Sequence, residues 1–192
     1  DNFNIENASV ISKGHLEPME HSSVDFIEQA SGIQTRYVID KKGILNPEKM
    51  MPSLQNEDES LISLHAQKGL IAAKKAIDQA EISVNDIDAV IVGSSHAARN
   101  YPAVAIEIQH ELGINGYAYD MLVGCSSTTF AINNAFSDIA SGLANTILVV
   151  NPEISTPACN FAERDKHFIF GDACAATTVS YTHLRAHETK WH

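Results

Sequence analysis

The run Asp88-Ala-Val-Ile-Val-Gly93 is apolar at nearly every position, and a strand with no polar alternation has to be covered on both faces. A sheet built on such a strand needs helices above and below it, and the neighbouring sequence supplies them. Ahead of the run, Ile62, Ala66, Leu70, Ala73, Ile77 and Ala80 recur at three- or four-residue spacing. They follow Asn56, a residue suited to an N-cap, and the acidic Glu57, Asp58 and Glu59, which predicts a helix with one buried face. Beyond the run, Pro102 opens and Gly113 closes a shorter helix. Tyr117 to Val123 is the next strand, Ser126 to Ser141 a helix closed by Gly142, and Thr146 to Asn151 a third strand. A last extended segment, Phe168 to Tyr181, is interrupted at Gly171-Asp172, and Lys41 to Gln55, with Gly43, Pro47 and Pro52, reads as a loop. Strands separated by helices imply crossover connections, so the predicted class is α/β, a mostly parallel sheet covered by helices.

At 192 residues the chain is long enough to bury a core, and one domain is the natural count. No apolar run approaches the roughly 20 residues needed to span a bilayer and no charged-then-apolar leader opens the chain, so no membrane partner and a cytoplasmic location are expected. Cys125, Cys159 and Cys174 form neither an even disulfide framework nor a C-x-x-C pair. A reducing compartment fits that count, and a zinc site does not. No metal and no cofactor are expected. The net charge of −11 argues against a nucleic-acid partner, which needs clustered Lys and Arg. An acidic ligand stays possible, because local Arg36, Arg99 and Arg164 act within a screening distance of about 10 Å.

The residues with the most chemistry are in Asp120-Met-Leu-Val-Gly-Cys-Ser-Ser-Thr-Thr-Phe130, where an apolar strand stops at Gly124 and a hydroxyl-rich helix start follows. Backbone N–H groups in a first helical turn carry the positive end of the helix dipole and favour a thiolate over a thiol, lowering a cysteine below its free pKa of about 8.5. Cys125 is therefore the candidate nucleophile. Ser126, Ser127 and Thr128 suit capping positions. An isolated cysteine at such a corner is more often a small apolar packing residue, so the surrounding pattern has to decide.

Four ordered stretches carry that pattern: Ser31-Gly-Ile-Gln-Thr-Arg36; Tyr101-Pro-Ala-Val-Ala-Ile106 leading to Leu112-Gly-Ile114; Asp120 through Phe130; and Glu163-Arg-Asp165 followed by Phe170-Gly-Asp-Ala173. Together they resemble the β-ketoacyl-acyl-carrier-protein synthase III family of thiolase-fold condensing enzymes. Arg36-Tyr-Val-Ile-Asp40, Lys42-Gly-Ile-Leu45 and Val149-Val-Asn-Pro-Glu-Ile154 resemble its β-ketodecanoyl branch, which extends a medium-chain primer. The resemblance implies the N-terminal half of a thiolase-like fold over residues 23–179, without the glycine-rich first strand. Residues 1–22 resemble a polar insertion, helical or mobile. Residues 180–192 match none of these motifs and read as a translated sequencing adapter, so the His183 and His187 pair is assigned no metal.

What the resemblance implies chemically is a two-step condensation in fatty-acid synthesis. Cys125 takes an acyl group from an acyl-CoA primer as a thioester; malonyl-acyl-carrier protein then loses carbon dioxide and its carbanion attacks that thioester. The Cys125 backbone N–H contributes to the oxyanion hole. Phe26 matches a tryptophan that stacks on the CoA adenine, with core packing as an equal alternative, and Arg164 matches an arginine against the same base. Ala30 stands where the family often has a phosphate-binding arginine. Tyr101 matches a residue that crosses a homodimer interface to the partner's acyl pocket, and Phe170 one that lines the primer channel; ordinary burial competes for both. Asp172 is expected to hold its turn through local carboxylate–backbone bonds, and Cys174 to pack. The family's histidine and asparagine for the malonyl thioester match no position here. His65 reads as a core residue, His96 as a loop residue and His110 as a helix-surface residue, and this chain alone is expected to be inactive. Two alternatives remain: a non-catalytic acyl-CoA-binding or subunit-like protein of the same fold, and a thiolase or hydroxymethylglutaryl-CoA synthase relative.

Overall fold

The computed structural model describes residues 4–6, 23–54, 62–163 and 167–181. Where length alone argues for one domain, the chain gathers into two compact units, Asp1–Glu57 with Ile154–Ala173 and Asp58–Glu153 with Cys174–His192.

The second unit carries the sheet. Its four strands, β3 (Ala89–Ser94), β4 (Tyr117–Leu122), β5 (Thr146–Ile154) and β6 (Asp172–Ser180), lie in the order β4-β3-β5-β6, and β3 runs parallel to both β4 and β5. Every residue of β3 is buried, as its unbroken apolar run requires. The two-residue period divides the strand between two cores. Val90 and Val92, with Leu148 and Val150, face Ala66, Ala73 and Ile77 of α3 (Leu64–Ala80) and Val104, Ala105 and Ile108 of α4 (Val104–Leu112). Ala89 and Ile91, with Ile147 and Val149, face Ala131, Ala135 and Ile139 of α5 (Ser127–Ala140). At Gly69 a Cβ would meet Ile108 Cδ1 at 2.6 Å, so the glycine sets how closely α3 packs on α4. Gly116, at φ 128°, turns the chain into β4 where any side chain would strike the Asp88 carbonyl.

Several element boundaries differ from the sequence expectation. Helix α3 begins at Leu64, with Ser63 as its cap accepting from Ala66 N at 3.2 Å, so Ile62 precedes the helix. The Asn56 cap lies outside the described residues. The start is set by a tertiary bond, since the Ser63 hydroxyl donates to buried Glu107 at 2.5 Å. Helix α4 begins two residues after Pro102, and Gly113 closes it at φ 69°. Strand β5 continues three residues past Asn151, and β6 begins at Asp172 and runs through Ser180, the first residue of the segment set apart above.

In the first unit, β1 (Asn4–Glu6) pairs antiparallel with β2 (Thr35–Tyr37). Residues 4–6 are thus strand, where a helical or mobile insertion was expected, because Ile5 joins Val38, Ile44, Met50 and Phe161 in a small core. The rest of residues 1–22 lies outside the described residues. Helix α1 (Val24–Ser31) is capped by Ser23, which accepts from Phe26 N at 3.1 Å, and closed by Gly32 at φ 72°. The expected loop from Lys41 opens with a helical turn, α2 (Lys41–Ile44). Asp40 holds it by accepting from Gly43 N at 3.1 Å and Ser53 N at 2.7 Å. Burial pushes the Asp40 carboxyl up, but these backbone donors outweigh it and hold it below its ordinary range.

Candidate active site

Cys125 occupies a single 3₁₀ turn, Gly124–Ser126, joining β4 to α5, and its unbridged thiol is exposed. The turn opens at Gly124 with φ 58°, a left-handed conformation that glycine adopts without strain. Ser126, the residue ahead of α5, makes no side-chain cap bond, against expectation. Ser127 is no cap either. Its hydroxyl is buried and turned back toward β3, where it accepts from Val123 N at 2.8 Å and lies 2.8 Å from the carbonyls of Ser94 and Gly124. The first-turn N–H groups of α5 therefore have no side-chain cap among the described residues. They leave the positive helix end directed at the turn that carries the thiol.

The neighbouring helix start is built differently. Asp120, next to the Met121-Leu122-Val123 approach to the Cys125 turn, accepts from Val104 N and Ala105 N at 2.8 Å each. Its carboxylate caps α4, whose own N-cap residue is Ala103. Burial holds the Asp120 carboxyl above its ordinary range against the pull of those two donors, and nearby Glu107 adds to the rise. Glu107 itself is buried, accepts from Ser63 N at 3.0 Å and is ion-paired with Arg99. Arg99, one of the three arginines that left an acidic ligand possible, thus serves an internal pair. Two residues on, Tyr101 is 85% exposed, so burial in this chain does not account for it.

At the ends of β3 and β5, Glu153 accepts from Ser95 N at 2.9 Å and bonds the Ser95 hydroxyl, with His96 Nδ1 at 3.8 Å. His65 is buried, as expected, with its ring edge-on to His96 at 5.2 Å. None of this cluster was singled out as a unit in the sequence, because its members are up to 88 positions apart, from 65 to 153.

The first unit holds the residues matched to nucleotide and primer recognition. Phe26 is 42% exposed and its ring meets Phe168 edge-on at 6.4 Å, while the core position of α1 is filled by Ile27. The core-packing alternative therefore belongs to Ile27. Phe170 is 41% exposed, against the burial alternative. Arg164 lies outside the described residues. Arg36 is buried and bonds the carbonyl of His167 and that of Phe170 at 3.4 Å; burial lowers its pKa to about 10. It too is turned to internal groups, here backbone carbonyls. The Asp172 carboxylate was expected to bond its own turn and instead ties down distant backbone: it accepts from Ile39 N at 2.6 Å, Thr156 N at 2.9 Å and the Thr156 hydroxyl at 2.6 Å. Of the other cysteines, Cys159 donates to the Ser155 carbonyl at 3.3 Å, and Cys174 packs against the α3–α4 core, where burial pushes its thiol up to about 11.

Comparison with known proteins agrees with this geometry. The profile of the family described as 3-oxoacyl-[acyl-carrier-protein (ACP)] synthase III matches residues 119–191, a span that contains the Cys125 turn and runs on through the segment set apart as foreign to the family. The chain is 48% identical over 182 residues to the β-ketodecanoyl-[acyl-carrier-protein] synthase of Pseudomonas aeruginosa, covering 95% of this chain and 52% of that protein. It is 31% identical over 170 residues to the β-ketoacyl-[acyl-carrier-protein] synthase III of Bartonella tribocorum, covering 88% of this chain and 46% of the relative. Among solved structures, 3-oxoacyl-[acyl-carrier-protein] synthase III from Aquifex aeolicus superposes with a TM-score of 0.65 at 25% identity, over 81% of this chain and 44% of that one. The fold is thiolase-like, with a mostly parallel sheet between helical layers. The chain spans about half the length of these relatives, and over that half it is similar in sequence and in fold to 3-oxoacyl-[acyl-carrier-protein] synthase III proteins.

Proposed function

We propose that Cys125 is the acyl-accepting nucleophile of a β-ketoacyl-acyl-carrier-protein synthase III-type acyltransferase. The observation that carries this reading is an exposed thiol in the turn before a helix whose first-turn N–H groups have no side-chain cap among the described residues. The thiolate attacks the thioester carbonyl of the primer, the carbon–sulfur bond to CoA breaks, and CoA leaves as its thiolate. The Cys125 N–H in the turn and the donors at the start of α5 stabilise the oxyanion between those two events. Malonyl-acyl-carrier protein then loses carbon dioxide. The electron pair released forms a carbon–carbon bond to the acyl carbonyl, and the cysteine sulfur departs as thiolate, ready for the next primer.

The primer is medium-chain. One of the relatives is named for a β-ketodecanoyl product, and a ten-carbon product of a two-carbon extension starts from an eight-carbon acyl group. Phe26 and Arg164 clamp the CoA adenine, with Phe26 supported by its exposed ring. Phe170 lines the primer channel, and Tyr101 reaches from one subunit of a homodimer into the acyl pocket of the other. Its exposure, and the position of β4 at the end of the sheet order among the described residues, support that arrangement. Light scattering that shows only monomer at micromolar concentration contradicts it. The activity is tested by supplying octanoyl-CoA and malonyl-acyl-carrier protein to a full-length synthase containing this sequence. β-Ketodecanoyl-carrier protein forms, Cys125→Ser abolishes it, and the 192-residue chain alone forms none. Product from the serine variant would overturn the assignment.

A further inference from the structure

The Ser127 side chain joins the two ends of the nucleophile's turn to the centre of the sheet. Its oxygen accepts the Val123 N–H, which ends the approach to the turn, and its single proton is shared between two carbonyls at 2.8 Å, Gly124 inside the turn and Ser94 at the end of β3. The residue is 2% exposed, and its bond to the Ser94 carbonyl is buried. The anchor is itself tied down. The Ser94 hydroxyl lies 2.8 Å from the Pro152 carbonyl, and Asn151 Nδ2 donates to the Gly93 carbonyl at 3.0 Å, which fixes the end of β3 to β5. Gly93 permits the approach: a Cβ there would stand 2.8 Å from both the Ser127 carbonyl oxygen and Asn151 Nδ2. The turn that carries Cys125 is thereby referenced to the two innermost strands.

We propose that Ser127 is a positioning residue for Cys125, holding the thiol and the first N–H groups of α5 in register for attack on the acyl thioester. This rests on the reading of Cys125 as the acyl-accepting nucleophile. A hydroxyl is the smallest group that can accept from Val123 and donate to a carbonyl at once. Alanine leaves the Val123 N–H and two carbonyls, that of Ser94 buried, to find other partners, and the turn relaxes. Misplacement of a nucleophile by about an ångström lowers its rate by up to about a hundredfold while leaving substrate affinity alone. The signature is therefore a loss confined to the rate at saturation.

The test follows Cys125 acylation by octanoyl-CoA in a full-length synthase containing this sequence, by stopped-flow quench and intact mass. Ser127→Ala should lower the saturating rate about tenfold to a hundredfold with an unchanged half-saturation concentration, and Ser127→Thr, which keeps the hydroxyl, should recover most of it. In parallel, iodoacetamide labelling of the same variants should slow Cys125 and leave Cys159 and Cys174 at their parental rates. Equal acylation rates for parent and Ser127→Ala overturn the proposal, as does a threonine variant no better than alanine. If the alanine variant loosens the unit, seen as faster labelling of Cys174, the threonine variant alone decides. If the parent never acylates, the functional reading fails, and the labelling contrast still decides whether Ser127 controls the thiol.

Discussion

The starts of α4 and α5 are two versions of the same structural event with opposite outcomes. Each helix follows one of two adjacent parallel strands, β3 and β4, so each begins at the carboxyl edge of the sheet, where α/β folds place their sites. Each presents the positive end of a helix dipole. In α4 that end is filled from within by Asp120, whose two oxygens take the Val104 and Ala105 N–H groups, and it is reinforced by Glu107 with its bonds to Ser63 and Arg99. In α5 it carries no side-chain cap among the described residues, and the exposed Cys125 stands in front of it. One end satisfies its donors permanently and serves stability. In the proposed function the other keeps them for a negative charge that exists only during reaction, with Ser127 bonded to the turn from behind.

The largest way to disturb the closed end is Glu107→Ala, which leaves Arg99 without its buried partner and Ser63 without its acceptor. A loss of about 3 kcal/mol is expected from breaking a buried pair, read as a lower urea midpoint at unchanged slope for a full-length synthase containing this sequence; an unchanged midpoint would show that the pair is ornamental. Asp120→Ala should cost about 2 kcal/mol locally, seen as faster hydrogen exchange at Val104 and Ala105. Because burial raises the Asp120 carboxyl, the folded protein holds that proton more tightly than the unfolded chain. The associated stability is complete below the ordinary carboxylate range of about 4 and declines as pH rises through the raised folded value. Asp120→Asn should flatten that slope in melts recorded upward from pH about 4, and a slope equal to the parent's would assign it elsewhere.

The open end can be closed deliberately. Ser126→Asp installs the carboxylate that α5 lacks, and it should stabilise the helix by about 1 kcal/mol while slowing Cys125 acylation about tenfold by repelling the thiolate. A variant as fast as the parent would mean that the open dipole contributes nothing to the thiol. The smallest contrast is among the three cysteines. Iodoacetamide at neutral pH should modify Cys125 fastest and Cys174 slowest, since burial pushes Cys174 up to about 11. Equal labelling in the folded protein would remove the distinction.

The elements legible in the sequence are those whose cause is local. The unbroken apolar run of β3, the three-to-four spacing behind α3, the glycine at 113 and the Gly-Cys-Ser corner after β4 each follow from residues within a turn or a strand of one another. What was missed depends on partners far along the chain. Helix α3 starts at Leu64 because Ser63 meets Glu107 forty-four residues on, which the run from Asn56 to Glu59 does not reveal. Asp172 was read as holding its own turn, whereas one of its acceptor bonds goes to Ile39, 133 positions earlier. Strand β1 has three residues, too few for alternation to register, and only the burial of Ile5 marks it. Around the thiol, the turn between β4 and α5 was readable from its Gly-Cys-Ser motif. The inward bonds of Ser127 were not, because a serine beside a helix start reads as a cap until the strand behind it is seen.

The central claim is that Cys125 carries the acyl group, and intact mass spectrometry of a full-length synthase containing this sequence tests it most directly. After incubation with octanoyl-CoA and no malonyl-acyl-carrier protein, one octanoyl group per chain is expected. Peptide mapping should place it on Cys125, and Cys125→Ser should carry none. Octanoyl-CoA bound without any covalent adduct, or an adduct on Cys159 or Cys174 that survives in Cys125→Ser, would contradict the account and favour a non-catalytic binding protein of the same fold.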